Sequence, residues 1–134
     1  MTTIHANSPR DALSRVETLV LTAGVELPLR AIREQVASAF DLVVQIARLV
    51  DGSRVVTHLT EVLRMESDVV TLQDLFLAKP ATDGRGLLEP IRPTGVRPHF
   101  TDKMKTAGVE LSPELFDPIP ATTRLAVVDG RRAR

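Results

Sequence analysis

The opening stretch MTTIHANSPRDALSRVE holds the residues of this chain best suited to work on a charged ligand. Read physically, an apolar–polar strand end would carry His5 and Asn7 to the mouth of a helix whose first turn bears Arg10, with Arg15 further along. The open N–H groups and dipole of a helix start favour negative charge, and guanidinium is a fixed planar cation that meets phosphate or carboxylate well. A plainer reading of the same residues has Asn7 and Ser8 capping the helix, Arg10 in solvent and His5 exposed near a terminus. By themselves the residues leave both readings open.

Other chemistry finds less support. Ser8, His5 and Asp11 can be written as a nucleophile–base–acid trio, but any short polar stretch offers one, and no nucleophile elbow surrounds it. His5, His58 and His99 fall on three different segments without the spacing of a zinc helix, so no metal site is expected. The sequence contains no G-x-x-x-x-G-K-[ST] and no Gly-Lys dipeptide, so it writes no phosphate cradle of its own.

The elements that must position these residues are short, because 134 residues allow one modest core. Hydrophobic residues make up 43% and charged residues 25%, ordinary values for a folded chain. Seventeen basic residues balance seventeen acidic ones, so no net field draws nucleic acid or an anionic membrane over long range. Tyr and Trp are absent, which leaves few stacking platforms for single strands, and nucleic acid is not expected as a partner. With no cysteine, disulfides and thiolate sites are excluded and a reducing cytoplasm fits. No signal peptide or membrane helix is written in the sequence, which reads as soluble and unexported.

Ser8, Pro9 and Asp11 supply a cap, a first-turn proline and a first-turn carboxylate, and Leu13, Val16, Val20 and Ala23 give one apolar stripe up to Gly24. A second amphipathic helix is expected from about Pro28, with Leu29, Ile32, Val36 and Ala39 on its stripe. LVVQIARLV, RVVTHLTEVLRM and VVTLQDLFL read as three strands of an antiparallel meander, the first two joined by a turn at Asp51-Gly52 and the third set off by ESD. From Lys79 to Pro98 prolines and glycines predict a linker or edge loop, followed by a short helix closed by Gly108 and a single turn capped by Ser112 in SPELF. The end beyond Phe116, with DPIPATT and GRRAR, is expected to fray.

The first stretch closely resembles the histidine box of the secretion ATPases of the type II/IV superfamily, in particular the CpaF-like branch that drives Tad/Flp pilus assembly. LPLRAIREQVASAFDLVVQ, RLVDGSRVVTHLTEVLRMESDVVTLQDLF and RPTGVRPHFTDKMKTAGVELSPELF resemble the same branch in the same order, over about residues 2–116. The resemblance implies an α/β fold, the C-terminal part of a RecA-like P-loop ATPase domain, beginning at the histidine box. It implies a hexamer at the cytoplasmic face of the inner membrane, working with pilus or secretion machinery. It places His5 in the box that approaches the nucleotide's terminal phosphates, and Arg10 and Arg15 among arginines that serve charge stabilisation or subunit contacts.

The family's P-loop, Asp box and Walker B acid precede the histidine box, and none is present here. Met1 is thus expected to match an internal position of a longer ancestor. The full-length family binds ATP and Mg²⁺, whereas this chain alone is expected to bind neither tightly and to hydrolyse no ATP. Residues 1–78 are expected to be the C-terminal part of the motor domain, 79–116 a loop and short helical region, and 117–134 a tail. The partners implied are secretion ATPase subunits, in a homo- or hetero-oligomer. The alternative is a non-catalytic interaction module, or a gene remnant, that packs against a full-length ATPase. Of the remaining residues, Glu17 is expected to pair with neighbours, Arg30 and Arg33 to form a solvated helix face, and His58 and Glu61 to be cross-strand partners. RPTGVRP is expected to be a fixed surface loop, docking of a membrane partner by its two arginines being the lesser reading.

Overall fold

The computed structural model describes residues 1–81 and 88–118. Helix α1 (Pro9–Thr22) begins where the sequence places it: the Ser8 side chain accepts the Asp11 N–H at 3.1 Å, and Pro9 occupies the first turn. It ends at Ala23 before Gly24, whose φ of +74° suits a residue without Cβ. Helix α2 (Leu29–Ala39) starts one residue after Pro28 and has no side-chain cap. Four strands follow in an antiparallel sheet of order β1-β2-β3-β4: β1 (Leu42–Arg48), β2 (Arg54–Glu66), β3 (Val69–Leu77) and β4 (Arg92–Pro93). The chain closes with α3 (Thr101–Thr106) and a 3-10 turn, Pro113–Phe116.

The sheet divides the molecule into two layers. Val43, Val62, Val70 and Leu72 point to the face that receives α1 and α2, where Leu13, Ile32 and Val36 are buried against them. Glu61, which alternates with Val62, points the other way, toward α3, and so does Phe76, which an extra residue in β3 between Asp74 and Phe76 turns to that side. There the Phe76 and Phe116 rings meet at 5.8 Å with a 56° tilt. The meander and both amphipathic helices therefore stand as expected, and the chain is mixed α/β with an antiparallel sheet.

The hairpin joining β1 and β2 turns through Val50-Asp51-Gly52. Leu49 N–H reaches Ser53 O at 2.8 Å, Gly52 N–H reaches Leu49 O at 2.9 Å, and Gly52 takes φ +86°. A turn closed by a left-handed glycine gives this three-residue loop. Asp51 Oδ1 accepts the Ser53 hydroxyl at 2.7 Å and the Ser53 N–H at 2.9 Å, and these bonds, the hydroxyl's first, hold its carboxyl below the usual carboxylate range. A depressed folded pKa stabilises above the unfolded value of about 3.9 and is lost as pH falls through the folded one. We expect an acid titration followed by circular dichroism to show Asp51→Asn losing less stability below about pH 4 than the parent.

Several sequence expectations are corrected. No strand precedes α1: residues 1–6 join no ladder, and Gln45 Nε2 ties them to the sheet by donating to Ala6 O at 2.9 Å. Ala23 and Ala39, set on the apolar stripes, are exposed because the sheet lies under the other end of α1 and the flank of α2. The expected loop from Lys79 to Pro98 contains β4, which pairs with Phe76 and Leu77, and Thr94 then bonds Leu75 O through its N–H at 2.9 Å. Residues 82–87 of that stretch lie outside the described residues. Gly108 closes α3 with φ +79° as expected, but Ser112 caps the 3-10 turn without a side-chain bond. Of the tail, Asp117 and Pro118 are described and the rest, including GRRAR, lies outside.

Polar ties stitch the sheet where apolar contacts thin out. Thr60, 1% exposed, donates to Asp74 Oδ1 at 2.6 Å across the β2–β3 pair. Thr60→Val removes the donor and leaves a carboxylate oxygen unmatched, so a loss of about 1–2 kcal/mol is expected in urea unfolding. Asp74→Asn, which still accepts, is expected to lose less.

Candidate functional site

The residues of the opening stretch singled out for chemistry sit at the surface and are not gathered into one place. His5 and Asn7 are exposed on the extended segment ahead of α1, Arg10 is exposed in its first turn, and Arg15 is exposed five residues later. Five residues turn a helix by about 500°, which sets Arg10 and Arg15 some 140° apart around the axis. No hydrogen bond or ion pair joins His5, Arg10 or Arg15 to one another among the described residues. Ser8 is committed to the helix cap, and Asp11 lends it the N–H rather than its carboxylate. The trio of Ser8, His5 and Asp11 therefore has no catalytic geometry here.

Arg33 overturns its expected place on a solvated face. Its Nε and Nη2 donate to the two oxygens of Glu17 at 3.0 and 3.2 Å, and Nη1 donates to Asp68 O at 2.7 Å. The fork joins α2 to α1 and to the β2–β3 turn, and the bond to Glu17 raises the guanidinium above its ordinary value. Glu17 pairs with a neighbour, as expected. Arg30 does stay on the surface, bonded to Glu34 at 3.1 Å and 3.6 Å from Asp68.

The chemically unusual residue is Glu61, a carboxylate 2% exposed in the middle of β2. Its backbone lies opposite Leu42 and Gln73, yet its side chain does not bond across the ladder. Oε1 accepts the N–H groups of His99 and Phe100 at 2.7 and 3.1 Å, and Oε2 lies 3.3 Å from His99 Nδ1. A carboxylate that accepts several N–H bonds offsets its desolvation through them. The pair fixes the start of α3 to the sheet and leaves the His99 ring largely exposed. The expectation that Glu61 is a cross-strand partner is corrected accordingly. The sequence carried one signal: Glu61 interrupts the alternating row Leu59, Glu61, Leu63, where a charged side chain needs a specific reason to point inward. His58 behaves more locally, with Nδ1 2.9 Å from Thr57 Oγ1.

Beside this node a groove of about 790 Å³ runs between α2, the end of β2 and α3. Lys103 on α3 pairs with Asp41 at one end of it. In RPTGVRP, Arg92 lies near Glu89 and Arg97 is 3.8 Å from Asp117, so both arginines face acids of their own chain. Among the described residues no group of three or more His, Asp or Glu is placed to hold a metal ion, and no helix is long and apolar enough to cross a membrane. Among the described residues, His5, Arg10 and Arg15 stand apart and do not converge on a place for a nucleotide's phosphates. No family model and no curated protein matches this chain.

Proposed function

We propose that this chain is the C-terminal portion of a secretion or pilus-assembly ATPase of the CpaF-like branch, acting inside an oligomer whose phosphate-binding parts lie outside residues 1–134. The observation that carries the reading is the ordered series of long sequence resemblances from the histidine box to SPELF. Two structural features are compatible with it. His5, Arg10 and Arg15 are all exposed, as residues meeting another surface must be. Apolar side chains also stand open on β1, with Leu42, Val44 and Ile46 in one row and Ile46 56% exposed. On this reading the chain sits at the inner face of the cell membrane, and ATP and Mg²⁺ belong to the assembly.

The purified chain by itself is expected to show no Mg²⁺-dependent ATP turnover above a buffer blank, because phosphoryl transfer depends on positioning and charge that its residues do not assemble. The decisive test mixes it with a secretion ATPase of this branch cut just before its own histidine box. Stable co-elution and ATP hydrolysis that appear only in the mixture, and that fall at least tenfold with His5→Ala, support the reading. Failure to associate at micromolar concentrations sinks it.

A second reading is favoured by the same separation of His5, Arg10 and Arg15: a non-catalytic module that packs against a full-length ATPase. It predicts co-elution with the intact enzyme and no change when His5 is replaced.

A further inference from the structure

β2 is longer than the strand beside it. β1 pairs with β2 only from Arg54 to Glu61, and the last tie on that side is Val62 N–H to Asp41 O at 3.0 Å. From Leu63 to Glu66, β2 continues with β3 on one side and, among the described residues, no strand on the other. Four residues at about 3.3 Å each leave some 13 Å of open sheet edge. This edge is the floor of the groove described above, with Ala37 and Ser38 of α2 as one wall and Phe100 and Lys103 of α3 as the other.

An open edge presents backbone donors and acceptors in the one pattern that another extended backbone satisfies. The ladder is also irregular between Val62 and Met65, where β2 carries an extra residue opposite β3, and such a bulge limits pairing to a short stretch. The lining is acidic in balance: Glu34, Asp41, Glu61 and Glu66 stand against Arg64 and Lys103, while Arg30, which bonds Glu34, is itself matched by Asp68. We propose that this groove takes a short extended segment of a second protein, alternating apolar and basic residues, by strand addition to the Leu63–Glu66 edge.

The test uses the full chain and a fluorescein-labelled nine-residue peptide of alternating valine and lysine. Anisotropy is expected to give a dissociation constant on the order of tens of micromolar at low salt, weakening severalfold by 0.3 M salt as charge is screened. The same peptide with N-methyl groups on alternate backbone nitrogens keeps its side chains but loses its donors, and it is expected to bind at least tenfold more weakly. In ¹⁵N spectra the amide shifts are expected to centre on Leu63–Glu66, and Ser38→Trp, which narrows the groove, is expected to weaken binding while leaving the circular dichroism unchanged. Equal binding of the methylated peptide overturns strand addition. Shifts centred on Leu42–Ile46 overturn the location, and no binding of either peptide overturns the site. Dimerisation of the chain alone through a contact that the peptide displaces makes a second copy the occupant and also overturns the proposal. These outcomes are independent of the ATPase reading, whose test reads hydrolysis and co-elution.

Discussion

Ile32→Ala is expected to lower stability by about 2–5 kcal/mol, the usual cost of emptying a buried isoleucine site. Ile32 is 3% exposed and sits where α2 meets both α1 and the sheet, against Leu13, Val36 and Val62. Among the described residues only eight hydrophobic side chains are buried, so neighbours able to collapse into the cavity are few. Small domains hold only about 5–15 kcal/mol in total, so this single change removes a large share. With no Trp or Tyr the measurement is far-UV circular dichroism in urea, where the midpoint is expected to fall while the slope stays constant. A thermal scan should show a drop of about 10–20 °C. Val44→Ala, in the exposed row of β1, is the control and is expected to stay within about 0.5 kcal/mol. If Ile32→Ala also stays within that range, the two helices are not packed on the sheet as described.

Glu61→Ala is expected to have the second largest effect, through a different mechanism. It strands the His99 and Phe100 N–H groups that the carboxylate accepts, at roughly 1–3 kcal/mol for each donor left buried and unmatched. Since His99 is exposed, water can reach one of them, and a total near 2 kcal/mol is expected. The loss should be local before it is global. Hydrogen exchange at Met104 and Ala107, whose N–H groups bond Phe100 O and Lys103 O within α3, is expected to accelerate more than exchange at Val36 or Val62. Glu61→Gln keeps an acceptor oxygen but loses the charge that strengthens both bonds, so about half the effect is expected. Unchanged exchange in α3 after Glu61→Ala would show that something other than this carboxylate holds the helix.

The contrast between these two residues shows which kinds of position are legible in a sequence. Ile32 was visible because apolar residues at helical spacing declare a buried stripe whatever the stripe meets. Ser8 as a cap, and Gly52 and Gly108 as turn residues, were visible for a similar reason, since each answers a requirement of its immediate neighbours. Glu61 gave only a faint sign, a charge in an apolar row. Its partners are 38 and 39 residues away, and nothing in local spacing encodes that distance. Arg33 gave no sign at all, because its partners, Glu17 and Asp68, are brought to it by the packing of α1 and by the β2–β3 turn.

Local sequence is enough to write the two amphipathic helices, the three main strands of the meander and the turns between them, because each depends on propensity, period or residue type within about a dozen positions. Only the tertiary structure decided that residues 1–6 join no strand, that β4 completes the sheet, that Glu61 anchors α3, and that β2 overruns β1 beside an open groove. Those features depend on which distant segments lie side by side, and that choice is made by burying the stripes of α1 and α2 on one face of the sheet and Phe116 on the other.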